Sequence, residues 1–82
     1  MVLNIYAMFD RLDGCHKALV TGRSDARAVR TFLEEMKKSP LDINEHELHK
    51  LGTYDDVTGV LTPIVPYEVM PLNVKETQEG VD

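Results

Sequence analysis

The stretch from Leu48 to Leu61, L-H-K-L-G-T-Y-D-D-V-T-G-V-L, constrains the fold more than any other part of the chain. It reads as two β-strands joined by a tight turn. Asp55 and Asp56 open the turn and Gly59 closes it, where a glycine supplies the φ > 0 conformation that a type I turn followed by a bulge requires. Phe9-Asp10 and Gly14 repeat the spacing of Tyr54-Asp55 and Gly59. The chain therefore holds two similar hairpins, read as one turn solution used twice rather than as a duplication. The return strand of the second, Val60 to Val65, contains Pro63, which has no N–H to give a ladder and suggests an edge strand or one that ends early.

The first hairpin begins with Val2 to Asp10, whose alternation places Leu3, Ile5, Ala7 and Phe9 on one side and Val2, Asn4, Tyr6 and Met8 on the other. The first set is expected to face the core. The second strand is Cys15 to Thr21. Ser24 then offers a helix N-cap, and Asp25 suits the positive end of the helix dipole. Ala26, Val29, Phe32, Leu33 and Met36 form one apolar stripe, Lys37 and Lys38 suit the last turn, and Ser39-Pro40 ends the helix. Arg30 with Glu34, and Glu34 with Lys38, have the spacing of surface ion pairs worth about 0.2 to 0.5 kcal/mol each. Leu41 to Glu47 is read as an irregular connection into the second hairpin.

These elements predict an α+β fold: two β-hairpins forming an antiparallel sheet of about four strands, with one helix packed on one face. The expected core is Ile5, Phe9, Val29, Phe32, Leu33 and Leu51. A single domain spans 1–66, and 67–82 is expected to be an extended, partly disordered acidic tail in which Tyr67, Val69 and Leu72 can touch the body. At 82 residues the chain builds one small core. No apolar run approaches the roughly 18 residues of a membrane span, and no signal-peptide pattern opens the chain, so it is read as soluble and intracellular. A single cysteine, Cys15, forms no intrachain disulfide.

A formal charge of −5 argues against wrapping a polyanion with the whole surface, because affinity for nucleic acid rests on Lys and Arg neutralising phosphates. Any such contact must be local. Arg23, Arg27 and Arg30 fall along one helix flank, Lys17 can approach from the preceding strand, and Tyr6 or Tyr54 would offer a stacking platform if exposed. These are the candidate nucleic-acid-binding residues, set against the reading of an ordinary solvated helix face. Cys15-His16 and His46-x-x-His49 are zinc-type ligands, but their strand parity turns them to opposite faces, and they are read as solvated. Asp10, Asp13, Asp55 and Asp56 sit in turns, where Asp belongs for local hydrogen bonding. No nucleophile-base pattern or Gly-rich phosphate loop is present, so the chain is expected to be neither an enzyme nor a holder of a metal or cofactor.

Taken together, I-Y-A-M-F-D at Ile5 to Asp10, S-D-A-R-A-V-R-T-F at Ser24 to Phe32 and L-G-T-Y-D-D-V-T-G at Leu51 to Gly59 resemble, in the right order, the small nonstructural protein encoded by the fifth open reading frame of gokushoviruses, the single-stranded DNA microviruses. The second strand departs from that pattern, with Ala18-Leu19-Val20 where relatives tend to carry a Pro-Phe pair. The resemblance implies a non-capsid phage protein in the host bacterial cytoplasm, acting in viral single-stranded DNA synthesis or its coupling to packaging, with single-stranded DNA as a partner. The alternative is an acidic interaction module that contacts a viral or host replication protein without touching DNA. A homodimer is also expected, formed through leftover apolar surface at Val2, Tyr6, Met8 and Tyr54.

Overall fold

The computed structural model describes residues 1–69. Two hairpins, β1 (Val2–Asp10) with β2 (Cys15–Gly22) and β3 (His46–Asp55) with β4 (Leu61–Glu68), join through β1 and β3 into one antiparallel sheet of order β2-β1-β3-β4. The helix α1 (Asp25–Lys38) packs on one face, so the architecture is the α+β arrangement expected.

Both hairpin turns are built alike. In the first, the Asp10 carboxylate accepts the N–H groups of Leu12 and Asp13 at 2.9 and 3.1 Å, and Gly14 N–H closes onto the Asp10 carbonyl at 2.7 Å. In the second, Asp55 accepts from Val57 and Thr58 at 2.9 and 3.3 Å, and Gly59 N–H reaches the Asp55 carbonyl at 2.8 Å. Gly14 and Gly59 take φ of 68° and 78°, a region costly for residues with a Cβ. Bonding from these N–H groups lowers the Asp10 and Asp55 pKa values, since it favours the charged carboxylate.

Ser24 caps α1 as expected: its hydroxyl accepts the Arg27 N–H at 3.2 Å. The apolar stripe buries Val29, Phe32 and Met36, with Leu33 half-buried beside them. No ion pair closes between Arg30 and Glu34 or between Glu34 and Lys38, which leaves both as solvated spacings.

The sheet presents the opposite face from the one its alternation suggests. Tyr6 is fully buried and Met8 half-buried against the helix, whereas of the expected set Ala7 is fully buried and Ile5, Phe9 and Leu51 are half-buried, all of them outside the main cluster of Tyr6, Val29, Phe32, Met36, Leu48 and Val69. Both sides of β1 are apolar, so period alone leaves the choice open and the partners decide it. Met8 pairs with Leu48, the most buried apolar residue of β3, and Tyr6 pairs with Lys50. The Tyr6 hydroxyl donates to Asp25 at 2.5 Å and accepts from Asn4 Nδ2 at 2.9 Å, so its polar atom enters the interior satisfied. With Tyr6 and Met8 under the helix, they are unavailable to the dimer surface predicted from β1.

Two boundaries also move. β3 starts at His46, within the stretch Leu41 to Glu47 expected to be irregular, and a 3-10 turn at Ile43–Glu45 precedes it. β4 continues through Pro66 to Glu68, and Val69 donates its N–H to the Leu48 carbonyl at 2.9 Å and joins the core, so the body runs past residue 66. The expectations for Leu72 and the rest of the tail lie outside the described residues. As Pro63 suggests, β4 is an edge strand, and it bulges where Ile64, Val65 and Pro66 lie opposite Leu51.

Gly52 faces the backbone of β4 at close range. A Cβ there would run into the carbonyl oxygen of Thr62 and stand 3.1 Å from Pro63 Cα, both of them backbone that a rotamer change cannot move. Gly52→Ala should therefore cost about 1 to 3 kcal/mol by overpacking. Urea denaturation checks this: unchanged stability would mean that β4 shifts aside at no cost.

Candidate nucleic-acid interface

Arg23 precedes the N-cap, and Arg27 and Arg30 follow on the first two turns of α1. All three are exposed, and none of their guanidinium groups makes a hydrogen bond or ion pair with a described residue. They lie at the positive end of the helix, where the field of the unpaired first-turn N–H groups adds to their own. Asp25, the nearby acidic group, is turned inward to the Tyr6 hydroxyl and stands 3.9 Å from Lys50 Nζ. The flank thus carries cationic charge that the body does not neutralise.

The other two candidates are placed elsewhere. Lys17 Nζ lies 2.5 Å from Asp13 and 3.2 Å from Asp10, so its charge is held at the tip of the first hairpin instead of beside the arginines. The Asp13 and Asp10 carboxylates raise its pKa, in that order of importance. Tyr6 is buried and offers no face to a base. Tyr54 is half-buried. The site reduces to the three arginines.

Beside them runs a groove that the sequence alone does not reveal. A helix is about 10 Å across, whereas four strands at about 4.8 Å spacing are too wide for one helix to roof. α1 settles over β1 and β3, and β2 is left exposed along almost its whole length. The gap between α1 and β2 encloses about 750 Å³, with Met8, Val20, Phe32 and Leu48 among its apolar lining and Arg23 and Arg27 on its rim. A size like this accommodates a small ligand or a partner side-chain cluster. The signal for it is the count of helices against strands.

β2 is irregular where it borders this groove. Between Val20, paired with Tyr6, and Lys17, paired with Met8, the strand carries one residue more than β1, and Ala18 takes φ of 57° to absorb it. This bulge interrupts the outer edge of the sheet.

His16 is exposed as read, whereas His46 and His49 are less solvated than their sequence spacing suggests. His46 is 5% exposed; its Nδ1 donates to the Asp42 carbonyl at 2.7 Å, which leaves Nε2 without a hydrogen bond, 3.7 Å from the Asp10 carboxylate. On the other face His16 Nε2 and His49 Nδ1 are 2.9 Å apart, His49 Nε2 lies 2.7 Å from Glu47, and both rings pack on Phe9. Because Glu47 can only accept, Nε2 of a neutral His49 carries the proton and Nδ1 accepts from His16. Among the described residues no three His, Cys, Asp or Glu side chains gather as metal ligands. The four turn aspartates serve structure: Asp10 and Asp55 in the turns, Asp13 on Lys17 and Asp56 on the Met1 amino group.

No curated protein and no solved structure matches the chain significantly. No helix among the described residues is long and apolar enough to cross a membrane. A family model described as "Phage ORF5 protein" matches residues 3–76, a span that takes in both hairpins, the helix and the arginine flank. On that match, the chain belongs to the phage ORF5 protein family.

Proposed function

We propose that this phage protein is a non-enzymatic accessory factor of viral single-stranded DNA synthesis, or of its coupling to packaging, that binds single-stranded DNA in the host cytoplasm through Arg23, Arg27 and Arg30. The observation that carries this reading is the set of three exposed guanidinium groups at the positive end of α1, without hydrogen-bond or ion-pair partners among the described residues. Arginine suits phosphate because its planar fork matches two oxygens at once. The charge of −5 is compatible with such a local contact and keeps the rest of the surface from competing for it.

Three phosphate contacts give a salt slope of about −2 for a single strand, so affinity should fall roughly 20-fold between about 50 mM and about 200 mM salt. Fluorescence anisotropy with a labelled single-stranded oligonucleotide measures this, and the Arg23→Glu/Arg30→Glu variant should lose binding at both salt concentrations. No binding by the wild-type protein at low salt would remove DNA from the account. It would favour instead an interaction module for a viral or host replication protein, a reading supported by the apolar groove and the acidic balance.

A further inference from the structure

The groove between α1 and β2 has a rim whose charge changes sign along its length. Arg23 and Arg27 stand at one end and Glu35 towards the other, with the small side chains of Ala28 and Thr31 between. Arg27, Thr31 and Glu35 are four residues apart in turn, which sets them in one row along the helix. Arg27 and Glu35 are therefore equidistant from Thr31. Neither side chain makes an ion pair or hydrogen bond with a described residue.

A row of this kind is complementary to itself. A two-fold axis through Thr31 brings residue i of one copy against residue j of the other and j against i. Antiparallel helices related in this way place each Arg27 beside Glu35 of the second copy, forming two ion pairs, while Ala28 and Thr31 let the helices approach. Val20 and Leu41, 50% and 45% exposed at the mouth of the groove, would then be covered.

We propose that this groove is the surface through which two copies of the chain associate, α1 against α1 about Thr31. A polyanion lying along the whole groove fits less well, because it would pass from Arg23 and Arg27 at one end onto an apolar lining and Glu35 at the other. An extended peptide adding to the edge of β2 meets the Ala18 bulge, which breaks the run of free backbone groups. The second copy brings the opposite order of charges and small residues at the same central position. Closing the dimer commits Arg27 to Glu35 of the second copy and takes it out of the DNA-binding set, whereas Arg30 does not line the groove and is left for phosphate.

Charge reversal in trans tests the pairing. Light scattering after gel filtration should give a dimer mass for the wild-type chain. Arg27→Glu alone and Glu35→Arg alone each set like charges together twice and should weaken association by about tenfold or more. An equimolar mixture of the two variants restores both ion pairs and should recover the dimer, as should the double variant R27E/E35R. Both side chains are exposed, so far-UV circular dichroism should show every variant folded. A wild-type monomer at high concentration, single variants that dimerise like the wild type, or a mixture that stays monomeric would each overturn the proposal. The DNA test alters Arg23 and Arg30 and reads binding, whereas this one alters Arg27 and Glu35 and reads mass, so the two readings fail separately.

Discussion

Phe32→Ala should abolish cooperative folding of this domain or leave it barely stable. Phe32 is 7% exposed at the centre of the helix stripe, between Val29 and Met36 and over the sheet residues Tyr6 and Leu48. Truncating a buried phenylalanine costs about 3 to 5 kcal/mol, from lost transfer energy and the cavity left behind. At roughly 0.05 to 0.15 kcal/mol per residue, a chain of 82 residues has about 4 to 12 kcal/mol in all, and towards the lower end of that range the loss leaves almost nothing. One face of Phe32 lines the groove, so water can enter part of the vacated space, which places the expected loss towards the lower end. Even there, the melting temperature should fall by on the order of 10 to 20 °C. Leu33→Ala, at a half-buried position, should cost distinctly less. Differential scanning calorimetry of both variants decides the matter. A Phe32→Ala protein that melts like the wild type would mean that the helix does not rest on this residue.

The features legible in the sequence are those set by a few neighbouring residues. The Asp-x-x-x-Gly turns close as read because each carboxylate reaches N–H groups two and three residues on, and the following glycine takes positive φ. Ser24, the stripe through Val29 and Phe32, and the stop at Ser39 define α1 for the same reason. What the sequence hides depends on pairings across the sheet. β1 is apolar on both sides, and only its register with Leu48 and Lys50 selects Tyr6 and Met8 for the interior. Extra residues at Leu51 in β3 and beside Ala18 in β2 then shift the alternation partway along each strand. The candidate site divides along the same line. The arginines share one helix flank and can be located by spacing, whereas Lys17, expected beside them, is held by the acidic pair Asp10 and Asp13 of its own hairpin. His16 and His49 meet across Phe9 of the intervening strand, a contact that parity within either strand does not disclose.

Tyr6 should make the fold sensitive to alkali. Its pKa is pushed up to about 12, first by burial, which penalises the phenolate, and then by the hydrogen bond to Asp25, whose carboxylate accepts the proton that ionisation would remove. In the unfolded chain the same group titrates near 10. Between these values the folded state holds a proton that the unfolded state has released, so stability is complete below about pH 10 and declines as pH rises towards about 12. A displacement of about two pH units corresponds to a loss of roughly 2 to 3 kcal/mol, a large share of the stability of so small a domain. Tyr6→Phe removes this slope. It also leaves Asp25 and Asn4 without the hydroxyl between them, so the variant should start about 1 to 2 kcal/mol less stable at neutral pH and lose less as alkali is added. Urea denaturation of both proteins at closely spaced pH values from 8 to about 12 gives the two curves, whose difference isolates Tyr6. Parallel curves across the alkaline range would show that Tyr6 ionises without cost and that its buried hydrogen bond to Asp25 does not hold the helix start to the sheet.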